Sequence, residues 1–264
     1  MEKIPINKLL TLPLLFSRNT SLIIYNHDSQ NTSFNSKWSK ILLNTYELNS
    51  IMYEIIFGSL LGDGCLIKHR KNAYFKLKLS IRQLSYLLYV FKDLCYITNS
   101  YPKLEIGKRN DTITFGIYFL TRQLNCLENL HKIWYDKKIK ILPPLDILYF
   151  SLTPRAIAHW IMRDGSFRDH GLTLYTNNFT IQEVNTLISI LRYKYGISCN
   201  LHLKKGNYRI YPTIYITAKG LKTLKPLIIM YIHSSILYKL GKLKEAHVEA
   251  PTAASVILAA ILLK

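Results

Sequence analysis

The feature that most restricts how this chain can fold is an order of elements that runs twice. From about residue 49 the first pass reads as a helix, "ELNSIMYEIIFGSLLGDG", then a strand, "AYFKLKLSI", and a second helix, "RQLSYLLYVFKDLCYI". Two alternating strands follow around an Asn110–Asp111 turn, in "PKLEIGKRNDTITFGIYFL", and then a helix expected to start at Thr121. The second pass repeats this order. "TPRAIAHWIMRDG" is a helix with Thr153 as N-cap and Pro154 at its first position, and "GLTLYTNNF" is a strand. "TIQEVNTLISILRYKYG" is a helix running from Thr180 to Gly196, "CNLHLKKGNYRIYPTIYIT" is a hairpin, and "AKGLKTLKPLIIMYI" is the last helix. Few residues match between the passes, yet the order of elements is common to both, so the expectation is an internal duplication of α+β units folded side by side. Pro143 and Pro144 mark the linker.

The expected boundaries are a loosely structured, Asn- and Ser-rich arm over 1–48, a first half over 49–138, a linker over 139–150, a second half over 151–242 and a tail over 243–264. Composition narrows the partner. Lys and Arg total 35 against 16 Asp and Glu, a formal charge of +19, which points to a polyanion because each phosphate neutralised releases a condensed counterion. Cys65, Cys95, Cys126 and Cys199 form no CxxC pair, so reduced thiols are expected rather than a zinc site or a disulfide framework. No signal peptide is visible at the start, and no apolar run reaches the roughly 20 residues that cross a bilayer, so stable membrane insertion is not expected.

Each pass places an acid directly after an apolar helix, Asp63 in "IFGSLLGDG" and Asp164 in "IAHWIMRDG". An acid at a helix C-terminus is disfavoured by the helix dipole by roughly 0.3–1 kcal/mol, and the following glycine reads as the usual C′ residue. A divalent cation is the simplest compensation. Gly58, Ser59 and Gly62 form a small-residue stripe that lets a second helix approach, whereas His159, Trp160 and Arg163 stand in the other helix. Packed together, the two helices would bring Asp63 and Asp164 within a few ångströms, where they could hold Mg²⁺ (or Mn²⁺) and activate water against a phosphodiester.

"FGSLLGDGC" and "AHWIMRDGSF", with "LTPRAIAHWIMRDG", "LTLYTNNFT" and the closing "ILYKL", resemble the LAGLIDADG homing endonucleases of the two-motif monomeric branch over about residues 50–240. The resemblance implies two αββαββα-type halves, paired signature helices at the interface, and two antiparallel sheets forming a DNA saddle. It also implies Asp63 and Asp164 as metal-binding catalytic acids, with the carbonyls of Gly62 and Arg163 assisting. Lys140 and Lys239 match the active-site lysines. Asn177 stands where the family often has Gln, with its counterpart in the first half falling near Leu79.

Strand alternation independently supplies a basic face. Lys76, Lys78, Ser80 and Arg82 would project together while Phe75, Leu77, Leu79 and Ile81 pack inward. Lys204, Lys205 and Arg209, interleaved with Tyr208 and Tyr211, would decorate the second hairpin; Lys103, Lys108, Arg109 and Arg168 complete the expected DNA-contacting set. The expected function is site-specific cleavage of both strands at a long, nearly asymmetric DNA target by a monomer. Intron RNA splicing as a maturase and DNA binding without catalysis are the alternatives. Residues 245–264, "EAHVEAPTAASVILAAILLK", resemble a stretch of subunit 4 of respiratory NADH:ubiquinone oxidoreductase, which implies coding sequence in or beside that gene in a mitochondrial genome and a product in the mitochondrial matrix.

Overall fold

The computed structural model describes residues 37–109, 112–205 and 210–241. The remainder of the expected arm, the whole of 245–264, and Tyr208 and Arg209 lie outside the described residues.

Two four-stranded antiparallel sheets of identical topology carry the duplication. The first contains β1 (Cys65–His69), β2 (Asn72–Ser80), β3 (Lys103–Arg109) and β4 (Thr112–Leu120) in the order β1-β2-β4-β3. The other contains β7 (Gly165–Arg168), β8 (Gly171–Tyr175), β9 (Cys199–Lys205) and β10 (Ile210–Ile216) in the order β7-β8-β10-β9. A minor ribbon, β5 (Tyr135–Asp136) with β6 (Ile139–Lys140), opens the expected linker, and helix α5 (Leu145–Ser151) closes it. This is the α+β architecture expected from the repeat.

Helices sit where the caps predict, with one exception. Helix α2 (Ser50–Leu61) starts at Asn49, whose Oδ1 accepts from the Met52 amide at 2.8 Å; helix α6 (Pro154–Asp164) starts at Thr153, whose hydroxyl accepts from the Ala156 amide at 3.2 Å. Helix α7 (Ile181–Tyr195) opens on a complete capping box between Thr180 and Glu183 and closes on Gly196 at φ 64°. Helix α4 (Asn125–Trp134) departs from expectation. It starts at Leu124 without a side-chain cap, and Thr121 instead accepts from the Phe75 amide at 2.9 Å, tying β2 to the end of β4. Of the expected arm, helix α1 (Lys40–Thr45) is ordered by an aromatic cluster of Trp38, Tyr46 and Tyr96.

Helices α2 and α6 pack against each other at the centre of the molecule, α2 buried from Ile55 to Leu61 and α6 from Ala156 to Met162. That explains why α2 is apolar on nearly every side from Ile55 onward: there it has no solvent face to make polar. The contact is set by Gly58, where an added Cβ would lie 2.1 Å from the Ala156 carbonyl oxygen. The small partner in α6 is therefore Ala156. His159 turns away toward helix α3 (Leu84–Leu94), where its Nδ1 lies 3.3 Å from the Tyr86 hydroxyl and its ring stacks on Tyr89.

His159 is fully enclosed, and burial, with some help from the charge of Arg155, pulls its pKa down from 6.5 to about 3. The unfolded chain therefore binds this proton first, and stability present above pH 6.5 is lost as pH falls toward the folded value. Between pH 7 and pH 5 the loss from this group is up to about 2 kcal/mol. Thermal melts at the two pH values should differ more for the wild type than for His159→Gln; equal differences would show that the histidine is not the acid-sensitive group.

Candidate active site and nucleic-acid face

The two acids come together at the ends of α2 and α6, but not equivalently. Helix α2 stops at Leu61, so Asp63 stands one residue beyond the Gly62 cap with its side chain 71% exposed. Helix α6 runs through Asp164, which is largely enclosed. Neither following glycine is the left-handed cap expected from the sequence. Their requirement is space: a Cβ on Gly64 would sit 2.6 Å from the Ser59 carbonyl oxygen, and one on Gly165 2.6 Å from that of Ile161. Gly62 has the most direct role, because a Cβ there would lie 2.5 Å from Asp164 Oδ2. The carboxylate of one half packs against the bare backbone of the other.

Two lysines close the site from opposite sides. Lys140, at the end of β6, donates through Nζ to the carbonyl oxygens of Gly62 at 2.7 Å and Gly64 at 3.0 Å. Lys239, in the 3₁₀ segment Ser234–Leu240, donates to those of Met162 at 2.9 Å and Arg163 at 3.0 Å. Each lysine thus satisfies orphan carbonyls at the negative end of one signature helix, which explains why both are withdrawn from water. The carbonyls of Gly62 and Arg163 already accept one hydrogen bond each, which leaves each a single lone pair.

The electrostatics of this cluster are strained. Burial pushes the Asp164 carboxyl up to about 7, and the neighbouring charge of Asp63 adds to the rise, while Arg163, Lys239 and Lys140 oppose it. Burial lowers Lys140 to about 8 and Lys239 to about 8, in both cases against the attraction of Asp164. Arg163 is the fifth member. Its side chain is 3% exposed, its Nη2 lies 3.7 Å from Asp63 Oδ2, and its Nε has no hydrogen-bond partner. Sequence reasoning credited only the carbonyl of this residue, although an arginine directly after the buried run Trp160–Ile161–Met162 was the signal for its side chain.

Asn177 is exposed in the turn after β8. The ladders correct its counterpart. Gly165 pairs with Leu174 and Cys65 with Lys76, so continuing the first ladder by one step aligns Asn177 with Ser80 rather than Leu79. Leu79 is 7% exposed and faces the helices, whereas Ser80 is polar and open.

The sheet faces turned away from the helices hold much of the expected basic set. On the first, Lys76, Lys78, Ser80 and Lys103 share a face with Tyr118 and Glu105. Lys78 pairs with Glu105 at 3.1 Å, and Lys76 lies over the Tyr118 ring at 5.3 Å. On the other, Arg168 and Lys204 share a face with Tyr175, Tyr211, His202 and Tyr215; Lys204 lies 4.6 Å from the Tyr175 ring centre, and His202 stacks on Tyr215. Three expected positions depart from this. Arg82 falls in a 3₁₀ turn after β2 has ended and does not continue the strand alternation, whereas Ile81 in the same turn still packs against the core. Lys108 is an odd number of residues from Lys103 and shares the face of Leu104 and Ile106; Lys205 likewise lies opposite Lys204. Arg109 is the last residue of β3. The aromatic partners Tyr118, Tyr175, Tyr215 and His202 were missed, although period-two counting along β4, β8, β9 and β10 reaches each of them.

Fold and site together define a pseudo-twofold protein whose halves meet at two helix-end acids, flanked by two buried lysines, with two sheets forming the saddle. Residues 53–224 match the model of the LAGLIDADG DNA endonuclease family. The chain belongs to that family. It is 37% identical over 201 residues to the cytochrome b mRNA maturase bI2 of Debaryomyces hansenii, covering 74% of this chain and 75% of the relative. It is 34% identical to the intron-encoded endonuclease ai4 of Dictyostelium discoideum, covering 55% of this chain and 92% of that one. The solved structure of the homing endonuclease I-WcaI bound to its DNA recognition sequence shares the fold, with a TM-score of 0.69 at 23% identity over 90% of this chain and 98% of that one.

Proposed function

We propose that this chain is a site-specific homing endonuclease that hydrolyses both strands of a long, nearly asymmetric DNA target as a monomer, using a divalent cation. The observation that carries the reading is the convergence of Asp63 and Asp164 at the ends of the two central helices, with a lysine seated on each helix end. The donor set suits a hard cation. Two carboxylate oxygens and the free lone pairs on the Gly62 and Arg163 carbonyls are oxygen ligands of the kind Mg²⁺ and Mn²⁺ take, and the burial that raises Asp164 is relieved by positive charge beside it. Among the described residues no cluster of three or more Asp, Glu, His or Cys is present, so water and phosphate oxygens complete such a shell.

When bound there, the cation supplies a more acidic water and neutralises developing charge on the leaving oxygen. The chain supplies the rest. Asp63 and Asp164 orient the cation from opposite halves. Lys140 and Lys239 present ammonium protons beside the two helix ends, where negative charge accumulates on a pentavalent phosphate. In this reading Asn177 and Ser80 order water on the two sides. The sheet faces bind the duplex, with Lys76, Lys78, Lys103, Arg168 and Lys204 toward phosphates and base edges.

Relatives named as intron-encoded endonucleases and cytochrome b maturases support a gene in or beside an organellar intron and a mitochondrial matrix location. They also keep a second reading, splicing of the host intron RNA, because the 37%-identical relative is named a maturase. The test is incubation of the purified chain with intronless host-gene DNA and Mg²⁺. A double-strand break that disappears with EDTA is expected. Binding to that DNA without cleavage would overturn catalysis, and tight binding to the intron RNA with none to the DNA would favour the maturase.

A further inference from the structure

Arg163 poses a problem that the proposed mechanism does not use. Its side chain is 3% exposed, and it makes one loose ion pair, Nη2 to Asp63 Oδ2 at 3.7 Å, which is beyond hydrogen-bond range. Its Nε is buried without a partner. A buried fixed cation needs an anion beside it, and leaving one unpaired is strongly destabilising. Of the other close charges, Asp164 feels the Arg163 charge but, among the described residues, forms no ion pair with it, and Lys140 and Lys239 are themselves cations, committed to backbone carbonyls. Asp63, by contrast, is exposed and lies in a turn, free to rotate away.

We propose that Arg163 is a positioning residue that holds the Asp63 carboxylate while the site lacks a cation, and that transfers to a phosphate oxygen of bound DNA when that carboxylate is taken. The inference rests on the reading of Asp63 and Asp164 as cation ligands. Its consequence is mutual dependence. In the free protein Arg163 competes with a cation for Asp63, so divalent affinity is low. Bound DNA brings the anion that Arg163 then needs, which frees Asp63, and by linkage the cation must tighten DNA binding by the same factor.

Two measurements on the full chain test this, and the first involves no DNA. Mn²⁺ binding is followed by electron paramagnetic resonance for the wild type, Arg163→Met, Arg163→Gln and Arg163→Lys. Removing the arginine charge is expected to tighten Mn²⁺ by about tenfold or more, whereas Arg163→Lys stays near the wild type because the competing charge is kept. A merely structural role would instead weaken binding in every variant. Circular dichroism reports folding, and Arg163→Gln stands in if Arg163→Met fails to fold. Unchanged or weaker Mn²⁺ binding in both charge-removing variants overturns the proposal. So does Mn²⁺ binding that survives Asp63→Asn, which would also remove the metal reading beneath it. In the second measurement, fluorescence anisotropy follows a short target duplex with and without Ca²⁺. The wild type should gain about tenfold in DNA affinity from the cation and Arg163→Met much less; an equal gain in both overturns the coupling. Failure of cleavage leaves the first measurement unaffected, so the endonuclease reading and the role of Arg163 can fail separately.

Discussion

Asp164→Asn should lower strand cleavage by about 10³-fold or more while leaving target-duplex affinity measured without divalent cation nearly unchanged, and should raise the melting temperature of the metal-free protein. The first effect follows from the loss of one of two carboxylates able to hold a cation at the meeting point of the halves. The sheet faces that bind DNA are built from other residues, so affinity is retained. The stability gain follows from linkage. The carboxyl rises from 3.8 in the reference state to about 7 in the fold, chiefly through burial and then through Asp63. Because the folded state holds this proton more tightly, its stabilising contribution is complete below the unfolded value and is lost as pH rises through about 7. An amide carries no charge to bury, so the variant should melt higher than the wild type at pH 8 without metal, by about 2 °C per kcal/mol relieved. Saturating Mg²⁺ should shrink or reverse that difference, since it stabilises only the wild type appreciably. A variant that still cuts at near the wild-type rate would remove Asp164 from catalysis; one that melts lower in EDTA would remove the charge-burial argument.

The other large effect is expected at Gly58. Gly→Ala in a helix interior ordinarily stabilises by about 0.5–1 kcal/mol. Here the added Cβ would meet the Ala156 carbonyl oxygen at 2.1 Å and its Cα and carbonyl carbon at 2.8 Å. All three contacts are backbone of the opposing helix, so no rotamer change can relieve them and α2 must move away from α6. Gly58→Ala is therefore expected to lose about 3 kcal/mol, read as a fall in denaturation midpoint, and Gly58→Val more. Since Asp63 and Asp164 hang from the ends of these helices, cleavage should fall further than DNA binding does. A Gly58→Ala protein as stable as the wild type would mean that the helices are not held at this separation.

Much of the fold could be read directly. The Thr153 and Thr180 caps, the alternation of Phe75, Leu77 and Leu79, and the Asp-Gly pair all rest on local rules of helix start, strand period and turn chemistry. The failures have local causes too. Thr121 looked like a helix start because threonine caps helices, but its hydroxyl was more useful bonded to the Phe75 amide across the sheet. Arg82 was counted along a strand that ends at Ser80. Lys108 and Lys205 were grouped with neighbours one or an odd number of places away, which strand geometry puts on the other face.

By itself the sequence determined the duplication, the two acids and the basic strands, because periodicity, capping and charge are properties of short stretches of chain. Only the tertiary structure decided what those acids face. Gly62 leaves room for Asp164 from a hundred residues away, and Ala156 admits Gly58. Lys140 and Lys239 reach the helix ends across the fold, and Arg163 is buried against Asp63 rather than solvated. Each of these depends on a close approach between distant segments, and the free energy of a charge depends on how much water that approach removes. No stretch of either helix carries that information alone.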